Sequence, residues 1–119
     1  MIIYYKKIFF FLFILLSFSN VGLSKENFFD KGKKLFEAKN YDDAKFLLER
    51  SIVQDPKHAN SYLYLAKIYK KKKDQKKEKK NLETTLLIDP TNEEAILMLM
   101  EIEIEKTNYS EFKELSDRF

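Results

Sequence analysis

Few side chains in this sequence are equipped for chemistry. There is one histidine, His58, and no cysteine among 119 residues, which excludes thiol nucleophiles, thiolate metal sites and disulfides. His58 falls in a turn after Pro56, and no serine has a histidine and a carboxylate at helical spacing. No glycine-rich phosphate loop and no paired-histidine metal motif occurs. The expectation is a non-enzymatic protein with no cofactor and no metal site. Two charged clusters remain. The run from Lys70 to Lys80, KKKKDQKKEKK, offers a contact for an acidic partner or anionic lipid headgroups, or is simply a solvated turn. It lacks interleaved aromatics, so nucleic acid is not the expected partner. Glu94, Glu101 and Glu105 stand seven and four residues apart, on one helical face. They could hold a cation or a basic peptide, or form the wet side of an amphipathic helix. No Asp/Asn-Gly loop supports a calcium site.

The elements that position these residues are set by a repeat. Asp55-Pro56 and Asp89-Pro90 lie 34 residues apart, and the residues between them recur in step. At that offset Phe28 maps to Tyr62 and Ile96, Gly32 to Ala66, Leu35 to Tyr69, Leu48 to Leu82, Ser51 to Thr85 and Ile52 to Leu86. Asn40, Asp74 and Asn108 share a phase, as do Tyr41 and Tyr109. Gly32 and Ala66 are small where two helices of a hairpin would cross closely. Leu48 and Leu82 fill the seam. Pro56 and Pro90 lack an amide hydrogen and stop the preceding helices. With two glycines, two prolines and no sustained alternating pattern, the chain is expected to be all-helical. Helices are placed near 26–38, 41–54, 59–72, 75–88, 93–106 and 109–118. Thr91-Asn92-Glu93-Glu94 and Asn108-Tyr109-Ser110-Glu111 read as capping boxes opening the last two.

The pattern resembles the tetratricopeptide repeat family, whose period is 34 residues. The first repeat reads Phe28, Lys31-Gly32, Leu35, Ala44, Leu48, Pro56, and the second Tyr62, Leu65-Ala66, Tyr69, Glu78, Leu82, Pro90. The third, Ile96, Leu99-Met100, Glu103, Phe112, Ser116, is degenerate and reads as a terminal, capping unit. Three departures stand out. Lys31 replaces the usual leucine. Glu78 replaces alanine at a close contact. Met100 replaces a small residue, so the third hairpin must open or shift. The resemblance implies a helix-turn-helix solenoid of two and a half to three repeats over 25–119, divided at 25–58, 59–92 and 93–119.

The family binds partners on the concave face formed by the first helix of each hairpin. Carried over by phase, that face comprises Phe29, Lys33, Phe36 and Glu37, then Asn60, Leu63, Lys67, Lys70 and Lys71, then Glu94, Leu97, Glu101, Ile104 and Glu105. It suits an amphipathic, charged peptide. The alternative is that Phe29, Leu63 and Leu97 are merely buried between helices. Members that clamp a C-terminal carboxylate use Lys, Asn and Arg at places held here by Phe29, Lys33, Tyr64, Glu94 and Met98. Only Lys33 fits, so that activity is not expected. Tyr109, Phe112, Leu115 and Phe119 line one side of the last helix. Either that helix closes the stack, or an apolar edge is left for a second copy or a partner.

Residues 1–24 stand apart from the repeats. Lys6 and Lys7 precede an apolar run from Ile8 to Phe18, and no acidic residue occurs before Glu26. This is the layout of a secretory signal peptide, with Gly22-Leu23-Ser24 offering small residues for cleavage before Lys25. Retention as a membrane anchor over 8–23 is the alternative, though the strict apolar run is short for a spanning helix. With the signal removed the net charge falls from +3 to +1. The charge is segregated: +1 over 25–58, +5 over 59–92 and −5 over 93–119.

Together these features lead to an expected protein–protein scaffold or adaptor in a bacterial periplasm or cell envelope. It would bind a protein or peptide partner, with a membrane involved only if the N-terminal segment is retained. The alternatives are a membrane-anchored element that self-associates head to tail through opposite charge, or an anionic-surface binder acting through Lys70–Lys80.

Overall fold

Short polar residues start four of the helices, and left-handed turns or Asp-Pro pairs end the first four. In a computed structural model, residues 1–6 and 26–117 are described, leaving aside the side chains of 111, 112 and 115. The apolar segment read above as a signal or anchor lies outside the described residues. Five helices follow one another: α1 (Phe28–Glu37), α2 (Tyr41–Gln54), α3 (Ala59–Lys71), α4 (Gln75–Ile88) and α5 (Glu93–Asp117). Residues 2–6 are also helical. Every regular element among the described residues is a helix.

Asn40 and Asp74, 34 residues apart, cap alike, whereas α3 starts at His58 with no side-chain cap bond. The side-chain oxygens of Asn27, Asn40, Asp74 and Asn92 accept from the backbone N–H three residues on, at 3.0, 3.4, 3.1 and 3.0 Å. Each satisfies a donor the helix itself leaves free. Both α1 and α3 end on a lysine in the left-handed region, Lys39 at φ 62° and Lys73 at φ 58°. The next residue then donates back five positions, Asn40 to Leu35 and Asp74 to Tyr69, closing a Schellman turn. Between hairpins, Asp55 Oδ1 accepts from Lys57 N–H and Asp89 Oδ1 from Thr91 N–H, both at 3.1 Å. The two Asp-Pro turns are thus the same structure, 34 residues apart.

Two hairpins form, α1 with α2 and α3 with α4, and α3 sits between neighbours on both sides. It buries Leu65 and Ile68 with Ala44 and Leu48 of α2. It buries Leu63 and Ala66 with Leu82 of α4 and Ala95, Met98 and Ile102 of α5. Leu48, Ile68 and Leu82 are fully buried, each worth about 1.5–3 kcal/mol of transfer free energy. At the first crossing a Cβ on Gly32 would meet Leu48 Cγ at 3.0 Å, which is why the position is glycine.

The third unit departs from the expected pair of helices. α5 runs unbroken from Glu93 to Asp117, and Asn108 caps nothing. In the register of Lys39 and Lys73 stands Thr107. A β-branched side chain is strongly disfavoured at positive φ. Thr107 instead bonds its hydroxyl to the Glu103 carbonyl at 2.9 Å, and the helix continues. The hairpin that Met100 was expected to open is open completely.

Candidate functional site

The first helices of the units, α1, α3 and the start of α5, carry the residues assigned to the concave face. Between α1 and α3 the structure assembles an aromatic cluster. Phe29 and Phe36 meet Tyr64 edge-on, ring centres 5.6 and 5.3 Å away. His58 tilts against Phe29 at 4.6 Å, and Tyr41 against Phe36 at 5.5 Å. Lys67 lies over the Tyr64 ring at 4.4 Å and Lys33 at 6.0 Å, in the range of cation–π attraction. Phe29, Lys33, Phe36, Tyr64 and Lys67 are all partly buried, and Asn60 beside them is exposed. Tyr64 was noted in the sequence only as a mismatch to the carboxylate clamp. Its role here follows from its place, 35 residues after Phe29, which only the stacking of α3 on α1 converts into contact.

Other assigned residues are distributed differently. Leu63 is 3% exposed and belongs to the core beneath α5, so it is not a contact residue. Leu97 is 65% exposed, correcting the alternative that it is buried. Lys71 is exposed. Lys70 is held by Glu101 at 2.5 Å, and Lys67 by Glu94 at 2.6 Å.

These ion pairs change the reading of the segregated charge. The basic second unit and the acidic third unit neutralise one another along their shared seam. Lys79 pairs with Glu103 at 2.6 Å, and Gln75 donates to Glu105 at 3.4 Å. Glu94, Glu101 and Glu105, read as one acidic face, are therefore each engaged by α3 or α4. Hydrogen bonds donated to Glu101 and Glu103 raise the pKa of Lys70 and Lys79, while Lys79 in turn lowers that of Glu103. Lys72 bonds Asp42 and Lys77 approaches Asp74. Within Lys70–Lys80, Lys71, Lys73, Lys76 and Lys80 have no ion pair among the described residues, half of the run's cations. The anionic-surface reading loses that much charge.

A cleft of about 290 Å³ lies where the two units meet, lined by Lys70, Lys73, Gln75, Glu78, Glu101, Ile102 and Glu105. Glu78 is 6% exposed. Burial pushes its carboxyl pKa up, partly opposed by Lys70. This is the position where an alanine was expected.

His58 does find a serine. Its Nδ1 and Ser61 Oγ are 2.8 Å apart, and Ser61 Oγ lies 2.8 Å from Ser51 Oγ. Ser61 is fully buried and Ser51 nearly so. The chain of hydrogen bonds ties the end of α2 to the start of α3. A second feature was invisible in the repeat pattern: an apolar trough of about 400 Å³ formed by Leu86, Ile96, Leu99, Met100, Glu103 and Ile104.

Two stacked helical hairpins with left-handed, Schellman-type turns define a helical-repeat fold. The tetratricopeptide repeat family profile matches residues 47–80, from the middle of α2 through α3 into α4. The match supports a tetratricopeptide repeat protein, a class that generally mediates protein binding. No curated protein matches the chain.

Proposed function

We propose that this protein is a non-enzymatic adaptor of a bacterial cell envelope that captures a peptide segment of a partner protein in the α1–α3 groove. The observation that carries this reading is the Phe29–Phe36–Tyr64 cluster with Lys33 and Lys67 over the same ring. Partly exposed aromatics beside cations suit a peptide with apolar side chains and carboxylates. Lys33, without an ion pair among the described residues, supplies the free charge. The paired seam of the second and third units contributes shape rather than net charge. Export rests on Lys6, Lys7 and the apolar run that follows.

Two measurements test this. A photo-crosslinking amino acid at Phe36, introduced in the native cells, is expected to trap a discrete partner, whereas one at Val53, which is 81% exposed on α2, is not. The reverse pattern overturns the groove assignment. The N-terminal residue and mass after membrane fractionation are expected to show a soluble species starting at Lys25. A membrane-bound species retaining Met1 replaces export with anchoring.

A further inference from the structure

The trough on α5 is the place a second helix of the third unit would occupy. In the first two units that place is filled by α2 and α4, which return along their partners after the left-handed lysine. In the third unit the returning segment exists in sequence, residues 108–117, but the unbroken helix carries it away from its own α5 face. Residues 103–110 are all exposed, with Tyr109 at 70%. Ile96, Met100 and Ile104 are left 38%, 54% and 57% exposed.

The segment and the trough are complementary. At the helix crossing the first unit sets Gly32 against Leu48, and the second sets Ala66 against Leu82. By register the third sets Met100 against Ser116. The large and small residues have changed sides, so the segment has room for the methionine that it would meet. Charge agrees as well. Residues 108–117 carry a net −2, and α4, which would flank the docked segment, carries +2. In the sequence, Tyr109, Phe112 and Leu115 recur at every third position of the segment.

The geometry points to a domain-exchanged dimer. Residues 108–117 of each copy dock in the Leu86, Ile96, Leu99, Met100 and Ile104 trough of the other, with the two α5 helices antiparallel and crossing near Thr107. Exchange reproduces between copies the contacts a hairpin makes within one, and it closes with two-fold symmetry. Thr107 is the hinge. Because it resists the left-handed turn, the straight helix is favoured and only a second copy's segment can reach the trough.

The chain has no cysteine, so an introduced pair reports cleanly. Three experiments on the full-length chain in detergent test the proposal. Density-matched sedimentation of the unaltered protein at tens of micromolar is expected to give a dimer, and a monomer overturns the proposal. The double variant Met100→Cys/Ser116→Cys is expected to oxidise to a covalent dimer beyond the level of either single variant. The seam that Gly32 and Leu48 share is close enough for a disulfide. An intramolecular disulfide, or none above the single-variant controls, overturns the exchange. Adding Thr107→Gly, which permits the turn, is expected to shift the product from covalent dimer to covalent monomer. An unchanged dimer overturns the hinge assignment.

Discussion

Lys39 and Lys73 sit at the ends of α1 and α3 and reverse the chain; Thr107, in the same register, leaves it straight. The apolar residues before and after all three positions predict a returning helix. The difference lies in one backbone conformation. A lysine tolerates positive φ at a modest cost that hairpin packing recovers. Threonine has a second branch at Cβ that disfavours the left-handed conformation, and in the continuing helix its hydroxyl bonds the Glu103 carbonyl. Hydrophobic pattern selects what must be buried, and the turn residue decides whether the same chain can bury it.

The contrast can be broken most severely at the crossings. Leu48→Ala and Leu82→Ala are each expected to lose about 2–5 kcal/mol, the range for buried leucines. Ser116→Ala, in the same register, should stay within about 0.5 kcal/mol. Denaturant titration followed by circular dichroism measures all three, and equal losses would remove the contrast between leucine and serine at the crossings.

Glu78 marks a second difference between units, a carboxyl where the first unit has Ala44. Its raised pKa means that its contribution to stability is fully present below the ordinary glutamate value of 4.5 and is lost as pH rises through the folded-state value. Asp42 and Glu103 behave oppositely. Held down by Lys72 and Lys79, they stabilise above 3.8 and 4.5 and lose this as pH falls through their lowered values. Glu78→Gln is therefore expected to stabilise at pH 7 by on the order of 1 kcal/mol, an advantage that shrinks toward pH 4.5. Paired melts at the two pH values decide it, and a variant less stable at pH 7 sinks the desolvation argument.

The turn comparison sharpens through one substitution at three places. Lys39→Gly and Lys73→Gly relieve positive φ and should gain up to about 1 kcal/mol. Thr107→Gly should reduce helix content, since a mid-helix glycine loses about 0.5–1 kcal/mol. A small effect is expected at the charged seam. Lys67→Gln, which removes the pair with Glu94, is expected to cost about 0.2–1 kcal/mol, less in high salt.

Much of this molecule was legible in sequence because the causes are local. Asp-Pro pairs, capping Asn and Asp residues and the small-large alternation of Gly32, Leu48, Ala66 and Leu82 specify two hairpins and their register. The bounds of α2 and α4 coincide with the helices read at 41–54 and 75–88. The break expected at Asn108 failed because a capping box was weighed without the residue before it. At the candidate site, register placed Phe29, Lys33, Phe36 and Lys67 on one face and left the burial of Leu63 as an alternative, whereas the place of Tyr64 in the aromatic cluster was not read. Which side of α3 faces which neighbour depends on how hairpins stack.

The amino-acid order by itself determined where helices start, where the first two turns fall and which residues cross closely, since each depends on neighbours within a turn or one repeat. Only the tertiary arrangement decided that the +5 and −5 units cancel along a common seam, that Leu63 is core and Leu97 surface, and that an apolar trough stays open. Those outcomes depend on distances between residues 24 and 31 positions apart, and such distances exist only once the helices have packed.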